Sequence, residues 1–194
     1  MTDQPRRDVD HRPAPRRLSS YLLRPATPDD VDGARSVMLD TFYREFGYGY
    51  APAWHADVVD IEGAYLRHPD HLLLVAVHDD HVVATTAVHT RGPAHPPHPK
   101  WLAERYGSAS TAQLLRVYVR PGHRRNGLAR ALVGMAGEFA AARGRDRLYL
   151  HTNVRVPEAE PFWSSVARQV FDARTTGEHG PGVATVHYEI PLPR

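Results

Sequence analysis

Apolar and polar positions alternate along the chain with two periods, one typical of strands and one typical of helices. Short apolar runs predict strands at 21–24, 72–77, 82–89, 113–119, 148–152 and 183–190. Apolar residues at helical spacing predict helices from Val31 to Phe42, over about 55–67, over 127–143 and within 157–168. The resulting order, β-α-α-β-β-β-α-β-α-β, predicts a mixed α/β domain.

Residues at the ends of two of these segments support the predicted boundaries. The sequence Thr27-Pro28-Asp29-Asp30 places a threonine before a proline and an acidic residue three positions later, which is the pattern of a capped helix start. Gly144 stands where the helix over 127–143 would end, a position that favours glycine.

Length and composition are those of one globular domain. The chain has 194 residues, of which 42% are hydrophobic and 24% charged, so we expect a single domain over 19–194. Residues 1–18 lack apolar periodicity, and we expect a disordered tail there. No cysteine is present, which excludes disulfides and thiolate chemistry. Because no apolar run approaches the roughly 20 residues of a membrane span and no secretory signal is seen, the cytoplasm is the expected location.

The arginines are distributed unevenly along the chain. The formal net charge is only +2, yet arginines concentrate around 116–130 and 143–147. A nucleic-acid binder usually concentrates basic residues on one face or stripe, whereas these arginines lie next to the proposed phosphate site. A coenzyme with several phosphates explains the clusters better, and a solvated surface is the alternative for the second cluster. We therefore expect a phosphorylated small molecule as partner and no nucleic acid.

One stretch of the sequence has the features of an anion site. An apolar run from 114 to 119 is followed by Pro121-Gly122 and then by the helix that begins near Gly127. Backbone N–H groups at a helix start have no partner inside the helix, and the helix dipole adds positive potential there. Small residues at 127 and 129 let phosphate oxygens approach the backbone. Charge-assisted donors come from Arg124, Arg125 and Arg130.

The same stretch resembles motif A of the GCN5-related N-acetyltransferases, the GNAT family, whose pattern is Arg/Gln-x-x-Gly-x-Gly/Ala. Arg124, Gly127 and Ala129 occupy the three named positions, and the preceding strand ends in the family's Val-x-Pro pattern at 119–121. The resemblance implies an α+β fold with a mixed, mostly antiparallel central sheet flanked by helices over about 21–191. It also implies that acetyl-CoA is the co-substrate, with its pyrophosphate on the loop amides.

Further coenzyme contacts follow from the resemblance. In the family, a break in the strand before motif A exposes backbone groups to the pantetheine arm and the thioester, and 117–119 correspond to that break. The residues that we expect to bind the coenzyme are therefore Val117, Tyr118, Val119, Arg124, Arg125, Asn126, Gly127, Leu128, Ala129, Arg130, Asn153 and Trp163.

The later part of the family pattern is altered in this chain. The family often carries Asn-x-x-Ala-x-x-Leu-Tyr after the next strand, and the alignment places Val156 at the Asn position and Trp163 at the Tyr position. Asn153, three residues earlier, is the candidate substitute for the asparagine. The family's tyrosine protonates the departing thiolate, whereas an indole N–H donates a hydrogen bond but is no acid. Because a thiol has a pKa of about 8.5, thiolate departure near neutral pH tolerates that loss.

A base matters more than an acid, because an alkylammonium has a pKa of about 10.4. Many relatives place a glutamate where Gln113 stands. Our first candidate is Glu45, since apolar neighbours would raise the pKa of its carboxyl. The rival is His151, at the end of a strand that borders the cleft, because its ordinary pKa of about 6.5 suits a base. The other candidates are Asp57, Asp60, Glu62 and His89.

The remaining histidines and aromatic residues bear on metals and on the acceptor. The pairs His68-x-x-His71 and His95-x-x-His98 lack further ligands at recognisable spacing, so we expect no metal site. Aromatic residues in 43–57 and 91–106 would form the wall of an acceptor pocket, which suits a small amine through stacking or cation–π contact.

These patterns predict an acetyl-CoA-dependent N-acetyltransferase that acts on the amine of a small molecule. Two alternatives stay open: a protein or peptide N-acetyltransferase, and a non-catalytic acyl-CoA-binding sensor. The sensor is suggested by the departures at Gln113, Val156 and Trp163. No membrane partner is expected, and a homodimer is the expected assembly.

Overall fold

An eight-stranded sheet forms the centre of the protein. The computed structural model describes residues 12–154, 156–177 and 184–193. The strands lie in the order β1-β2-β3-β4-β5-β6-β8-β7 across the sheet. Their bounds are β1 Arg16–Leu18, β2 Tyr21–Pro25, β3 His71–His78, β4 His81–His89, β5 Thr111–Val119, β6 Arg147–Asn153, β7 Arg168–Asp172 and β8 Thr185–Pro191.

Neighbouring strands pair antiparallel except at β5 and β6, which are parallel. This confirms the mixed, mostly antiparallel sheet. The parallel pairing joins only 111–113 on β5 to 147–149 on β6. Beyond it, β5 continues to pair with β4 and β6 with β8. The two central strands therefore separate toward their C-terminal ends, and a gap opens between them.

The described residues contain five α-helices: α1 Val31–Asp40, α2 Ala56–Val59, α3 Lys100–Arg105, α4 Leu128–Ala142 and α5 Ala159–Val166. The predicted start of α1 is confirmed, because the carboxylate of Asp30 accepts hydrogen bonds from the backbone N–H and the hydroxyl of Thr27 at 2.7 and 2.8 Å. Within the ranges that the structure describes, no helix has the length and apolar character needed to cross a bilayer.

Two hydrophobic cores pack against opposite faces of the sheet. On one face, α4 buries Leu132, Met135 and Phe139. On the other face, α1 buries Val37 and Met38. The central strands are apolar on both faces, since alternate residues of β3 belong to the two cores. Burial of each large side chain contributes about 1.5–3 kcal/mol, so these two helices hold the sheet between them.

The prediction of one continuous helix over about 55–67 is wrong. The α-helix ends at Val59, and a separate π-helical turn follows at Glu62–Leu66. Between them, the carboxylate of Asp60 accepts a hydrogen bond from the backbone N–H of Gly63 at 2.8 Å. A short acidic side chain that bonds to nearby backbone N–H groups competes with helix continuation, which explains the break.

The boundary predicted for the N-terminal tail also needs correction. Arg16–Leu18 form β1, which pairs antiparallel with β2, so the disordered tail predicted over 1–18 is wrong for these three residues. The guanidinium of Arg16 bonds to the carboxylate of Glu138 on α4, and Leu18 packs on the core. Residues 1–11 lie outside the described part of the chain.

Like β1, the strand β7 does not correspond to any strand predicted from the sequence. β7 is an edge strand whose one partner among the described residues is β8, and all of its side chains are exposed or half-buried. A strand with so little burial lacks the apolar run or alternation that identifies strands. The helix predicted within 157–168 is confirmed as α5, and the last predicted strand begins at Thr185, with residue 183 outside the described residues.

Candidate active site

The start of α4 lies in a cleft of about 370 Å³, which we call the α4 cleft. It runs from the loop before α4 to the gap between β5 and β6. The residues that line it are Thr41, Glu45, Phe46, Val117, Tyr118, Val119, His123, Arg124, Arg125, Gly127, Leu128, Ala129, Arg130, Thr152, Val156, Pro157, Glu158, Ala159, Phe162 and Trp163. All but two of the predicted coenzyme residues are in this list; the exceptions are Asn126 and Asn153.

The backbone at the start of α4 presents free N–H groups to this cleft. The N-cap residue, Gly127, has φ 77°, a left-handed conformation that glycine adopts without steric cost. The first helical hydrogen bond runs from the N–H of Ala131 to the carbonyl of Gly127 at 3.0 Å. The N–H groups of 128–130 therefore precede the helical pattern and point away from the helix, as an anion site requires. The Asn126 side chain donates to the carbonyls of His123 and Arg124, each at 3.2 Å, and shapes the loop.

The arginines of the motif are held by specific partners. The guanidinium of Arg124 donates to the carbonyl of Val119 at 3.1 Å and pairs with the carboxylate of Glu45. Arg125 pairs with Glu158 at 2.8 Å in an exposed position. These contacts place two guanidinium groups beside the free N–H groups of α4, where phosphate oxygens would meet both kinds of donor.

A bulge in β5 lies next to the gap between β5 and β6. The register of β4 with β5 shifts between Thr85 and Ala87, so that two residues of β5 oppose one of β4. At the bulge, Arg116 has φ 52°, and its carbonyl accepts a hydrogen bond from the Thr85 hydroxyl at 2.8 Å. The bulge takes 116 and 117 out of register with β4, whereas 118 and 119 stay paired to Thr85 and Ala84. On the other side, the pairing of β5 with β6 stops at Gln113, so the backbone of 117–119 borders the gap, where the resemblance implies the pantetheine arm.

A second cleft of about 510 Å³ lies beside the first, and four histidines line it, so we call it the histidine cleft. Its histidines are His55, His89, His98 and His151. The two clefts share the lining residues Phe46, Val117, Tyr118, Thr152 and Trp163. A group held at this junction is reached from both sides, which is the arrangement that transfer between two bound molecules needs.

A buried ion pair closes one side of the histidine cleft. The guanidinium of Arg116 donates to both carboxylate oxygens of Asp57 at 2.9 and 2.7 Å and to the carbonyl of Trp54 at 2.7 Å. The hydroxyl of Tyr65 donates to the same carboxylate at 2.5 Å. Burial opposes the charged form of Asp57, but the hydrogen bonds and charge of Arg116 outweigh it and lower the pKa of the carboxyl.

Two of the four histidines are kept neutral by their surroundings. Burial and the charge of Arg116 lower the pKa of His55 to about 4. Its Nδ1 accepts a hydrogen bond from the backbone N–H of Ala51 at 2.9 Å, which requires an unprotonated nitrogen there. Burial, with the ring of His71 and the charge of Arg91, lowers the pKa of His89 to about 3. Both rings therefore stay uncharged near neutral pH.

The predicted catalytic residues lie in different clefts. Glu45 lies in the α4 cleft against Arg124 and does not line the histidine cleft. His151 lines the histidine cleft from β6, with its ring centroid 4.9 Å from that of His98. Asn153 also lines the histidine cleft rather than the α4 cleft. Trp163 lines both clefts and is buried.

The other candidate bases have partners elsewhere. Asp60 and Glu62 both pair with Arg67, outside the two clefts. His68 and His71 stack on one another with ring centroids 3.6 Å apart. Among the described residues, no group of histidine, cysteine and acidic side chains could hold a metal ion. The Arg116–Asp57 pair is not among the residues expected from the sequence. Its one signal in the sequence is an arginine inside an otherwise apolar strand.

Comparison with known proteins identifies the family and the fold. A model of the acetyltransferase (GNAT) family matches residues 36–165. An acetyltransferase of the GNAT family from Staphylococcus aureus Mu50 superposes with a TM-score of 0.67 and 16% identity, over 89% of this chain and 99% of that one. The PaiA N-acetyltransferase of Thermoplasma acidophilum, solved in complex with coenzyme A, gives a TM-score of 0.62 and 14% identity, over 89% of this chain and 99% of its own. No curated protein matches the chain significantly.

The family match covers more than half of the chain and includes the elements that form the site. Both β5 and the start of α4 fall inside it, as does most of α5. The solved structures, at such low identity, support the fold. The chain belongs to the GNAT family of acetyltransferases and is therefore an acyltransferase.

Proposed function

We propose that the protein is an acetyl-CoA-dependent N-acetyltransferase that acts on the amine of a small molecule. The observation that carries this proposal is the meeting of two clefts at Val117, Tyr118 and Trp163. One cleft offers backbone and arginine donors for a pyrophosphate. The other, at about 510 Å³, falls in the range of about 300–1,000 Å³ that is usual for small-molecule sites.

The residues of the α4 cleft fit the coenzyme. Its pyrophosphate would lie on the N–H groups of 128–130, with Arg124 and Arg125 as charged donors. The pantetheine arm would enter the gap between β5 and β6 and meet the backbone of 117–119. Acetyl-CoA supplies an acyl group activated as a thioester. The transfer forms a C–N bond to the amine, breaks the C–S bond and leaves the coenzyme as a free thiol.

His151 is the base that the geometry favours. Glu45 is paired with Arg124 in the other cleft, and the carboxylate of Asp57 already accepts hydrogen bonds from Arg116 and Tyr65. The lowered pKa values of His55 and His89, about 4 and about 3, make these two rings weak bases near neutral pH. His151 neighbours Thr152, which lines both clefts, and so lies close to the junction.

Departure of the thiolate needs little help from the protein. Trp163 fills the position from which the family's tyrosine donates a proton, and its indole N–H can only donate a hydrogen bond. Because a thiolate with a pKa of about 8.5 is stable enough to leave near neutral pH, water suffices as the proton source. Trp163→Phe should therefore keep most of the activity.

The experiment is a release assay for the free thiol with acetyl-CoA and a panel of small amines, followed by mass measurement of the product. The proposal expects thiol release that depends on the amine and an acetylated amine of matching mass. In the wild type we expect the rate to fall at acidic pH as His151 becomes protonated, which gives the pH profile an acidic limb. His151→Gln should remove this limb and leave acetyl-CoA affinity unchanged. Acetyl-CoA binding without turnover of any amine or peptide would contradict the proposal.

Binding of acetyl-CoA without turnover would identify the protein as a sensor. The alternative of a non-catalytic acyl-CoA-binding sensor has two specific observations in its favour: Gln113 lines the histidine cleft where many relatives have a glutamate, and Trp163 replaces the tyrosine. Thiol release from peptides but from none of the small amines would instead support a protein or peptide acetyltransferase.

A further inference from the structure

The charges that line the histidine cleft are unbalanced. Among the described residues that line it, Asp57 is the one carboxylate, whereas the two arginines are Arg91 and Arg116. Two of the four histidines, His55 and His89, are kept neutral, and the arginines exceed the carboxylate by one positive charge. An acceptor that enters this cleft therefore meets a positive potential, which disfavours a second cation and favours a negative group.

The carboxylate of Asp57 is not available to an ammonium group. It accepts hydrogen bonds from Arg116 and from Tyr65, and only 15% of its side chain is exposed. A ligand cation that approached it would also approach the guanidinium of Arg116, which is 13% exposed. Attraction to the acid and repulsion from the base nearly cancel at that distance.

Arg91, in contrast, is exposed and makes no ion pair or hydrogen bond through its side chain within the described part of the chain. Its backbone is well anchored. On one side, Thr90 donates from its backbone N–H and its hydroxyl to the carbonyl of Asp70 at 3.2 and 2.9 Å. On the other, Gly92 donates to the Ser108 hydroxyl at 3.1 Å. The chain thus fixes the point from which a free guanidinium extends at the cleft.

The residue after Arg91, Gly92, packs closely against the backbone that follows α3. A Cβ atom at residue 92 would lie 1.7 Å from the carbonyl oxygen of Tyr106, so only glycine allows this approach. The charge of Arg91 also contributes to the lowered pKa of both His89 and His71. Its positive field therefore reaches the interior of the histidine cleft.

We propose that the acceptor is an amine that also carries a carboxylate, an amino acid or a close analogue, and that Arg91 binds this carboxylate at the mouth of the histidine cleft. This inference rests on the proposed function and names its substrate class. A planar guanidinium matches a carboxylate with two parallel hydrogen bonds. The same positive potential lowers the pKa of the substrate's ammonium group and so favours the neutral amine that attacks the thioester. Polyamines, which carry several positive charges, are excluded by the same argument.

The test compares matched acceptors in the thiol release assay: a panel of amino acids, the amide of each, and a polyamine. We expect kcat/KM to be at least about tenfold higher for the carboxylate than for its amide, the size of effect that one charge-assisted contact gives. Arg91→Gln should remove that difference through KM, and Arg91→Lys should restore part of it. The control is Arg17→Gln, an exposed arginine on β1 that lines neither cleft, and it should behave as the wild type.

Turnover of the polyamine, or equal kcat/KM for acid and amide, would overturn the inference and leave the proposed function intact. A binding measurement detects the opposite situation, in which the ligand class is right and the proposed activity is wrong. Calorimetry with the same acceptors and protein saturated with coenzyme A should show amino-acid binding that Arg91→Gln weakens about tenfold. If that binding is seen without thiol release from any acceptor, the proposed function fails while the ligand class stands. If no amino acid binds or reacts, the inference fails.

Discussion

The α4 cleft and the histidine cleft meet at the same junction, but backbone groups provide the main contacts of the first and side chains those of the second. Half of the residues that line the α4 cleft come from one continuous segment, 117–130, and the central donors of this cleft are backbone N–H groups. The histidine cleft is formed by side chains from segments spread between Phe46 and Thr185. A backbone site depends on local conformation and tolerates changes in side chains around it. A site made of side chains depends on tertiary packing, so its chemistry differs among proteins of one fold.

The largest effect should come from breaking the ion pair of the histidine cleft. Asp57→Asn leaves the buried guanidinium of Arg116 without a counter-charge, which should lower the free energy of unfolding by about 3–5 kcal/mol. Urea unfolding measures this. The control is Asp32→Asn, whose 95% exposed carboxylate pairs with Arg35; it should cost at most about 1 kcal/mol. Equal losses for the two variants would contradict a buried, essential pair.

The second prediction tests whether the backbone N–H groups of the α4 cleft bind the coenzyme. Ala129→Glu places a bulky negative charge beside the free N–H groups and should weaken acetyl-CoA binding at least about 100-fold, or about 2.7 kcal/mol. Calorimetry with acetyl-CoA checks it. Gly122→Glu adds the same charge to the preceding turn, where a Cβ meets no atom within 4 Å, and should bind normally. Normal binding by Ala129→Glu would remove the coenzyme from this cleft.

The third prediction uses the pH dependence of stability to examine the histidine cleft. The pKa of His89 is lowered to about 3, so the unfolded chain takes up a proton at this position below about pH 6.5 while the folded protein does not. The stabilisation is present above pH 6.5 and is lost progressively as the pH falls toward 3. From pH 7 to pH 5, this residue should cost about 2 kcal/mol of unfolding free energy.

Urea unfolding at the two pH values measures that loss, and His89→Asn should reduce it by the same amount. His81→Asn, at an exposed position on the same strand, should retain the wild-type loss. If His89→Asn also loses stability as the wild type does, the imidazole of His89 is not kept neutral by its surroundings.

The smallest effect concerns the carboxylate in the α4 cleft. Glu45→Gln releases Arg124 and removes a negative charge near the pyrophosphate, so acetyl-CoA should bind about fivefold more tightly, or about 1 kcal/mol. The acidic limb of the rate against pH should persist. Glu138→Gln breaks a similar pair, with Arg16, outside this cleft and should leave affinity unchanged. Loss of the limb in Glu45→Gln would return the role of base to Glu45.

The same contrast explains what could be predicted from the sequence. Gly127 and the small residues near it indicate an anion site because the cause is local: a strand, a turn and a helix start within about fifteen residues. The partner of Arg116, by contrast, lies 59 residues away, and that of Arg124 lies 79 residues away. No local pattern identifies such partners. The sequence therefore predicts apolar surroundings for Glu45, whereas its carboxylate pairs with the guanidinium of Arg124.

The errors in the predicted fold also come from features that leave no local pattern in the sequence. The strands of the buried centre were predicted within about two residues, because burial on both faces leaves continuous apolar runs. β1 and β7 lie at the two edges of the sheet, where exposed side chains carry no such signal. The break at Asp60 depends on a side-chain hydrogen bond to Gly63, which competes with a helical pattern that looks continuous in sequence.

A crystal structure of the protein with coenzyme A would show whether coenzyme and acceptor meet at the junction of the two clefts. We expect the pyrophosphate on the N–H groups of 128–130, the pantetheine arm between β5 and β6 against 117–119, and the thiol beside Trp163 facing the histidine cleft. Coenzyme bound elsewhere, or with its thiol directed away from His151 and the histidine cleft, would contradict this expectation.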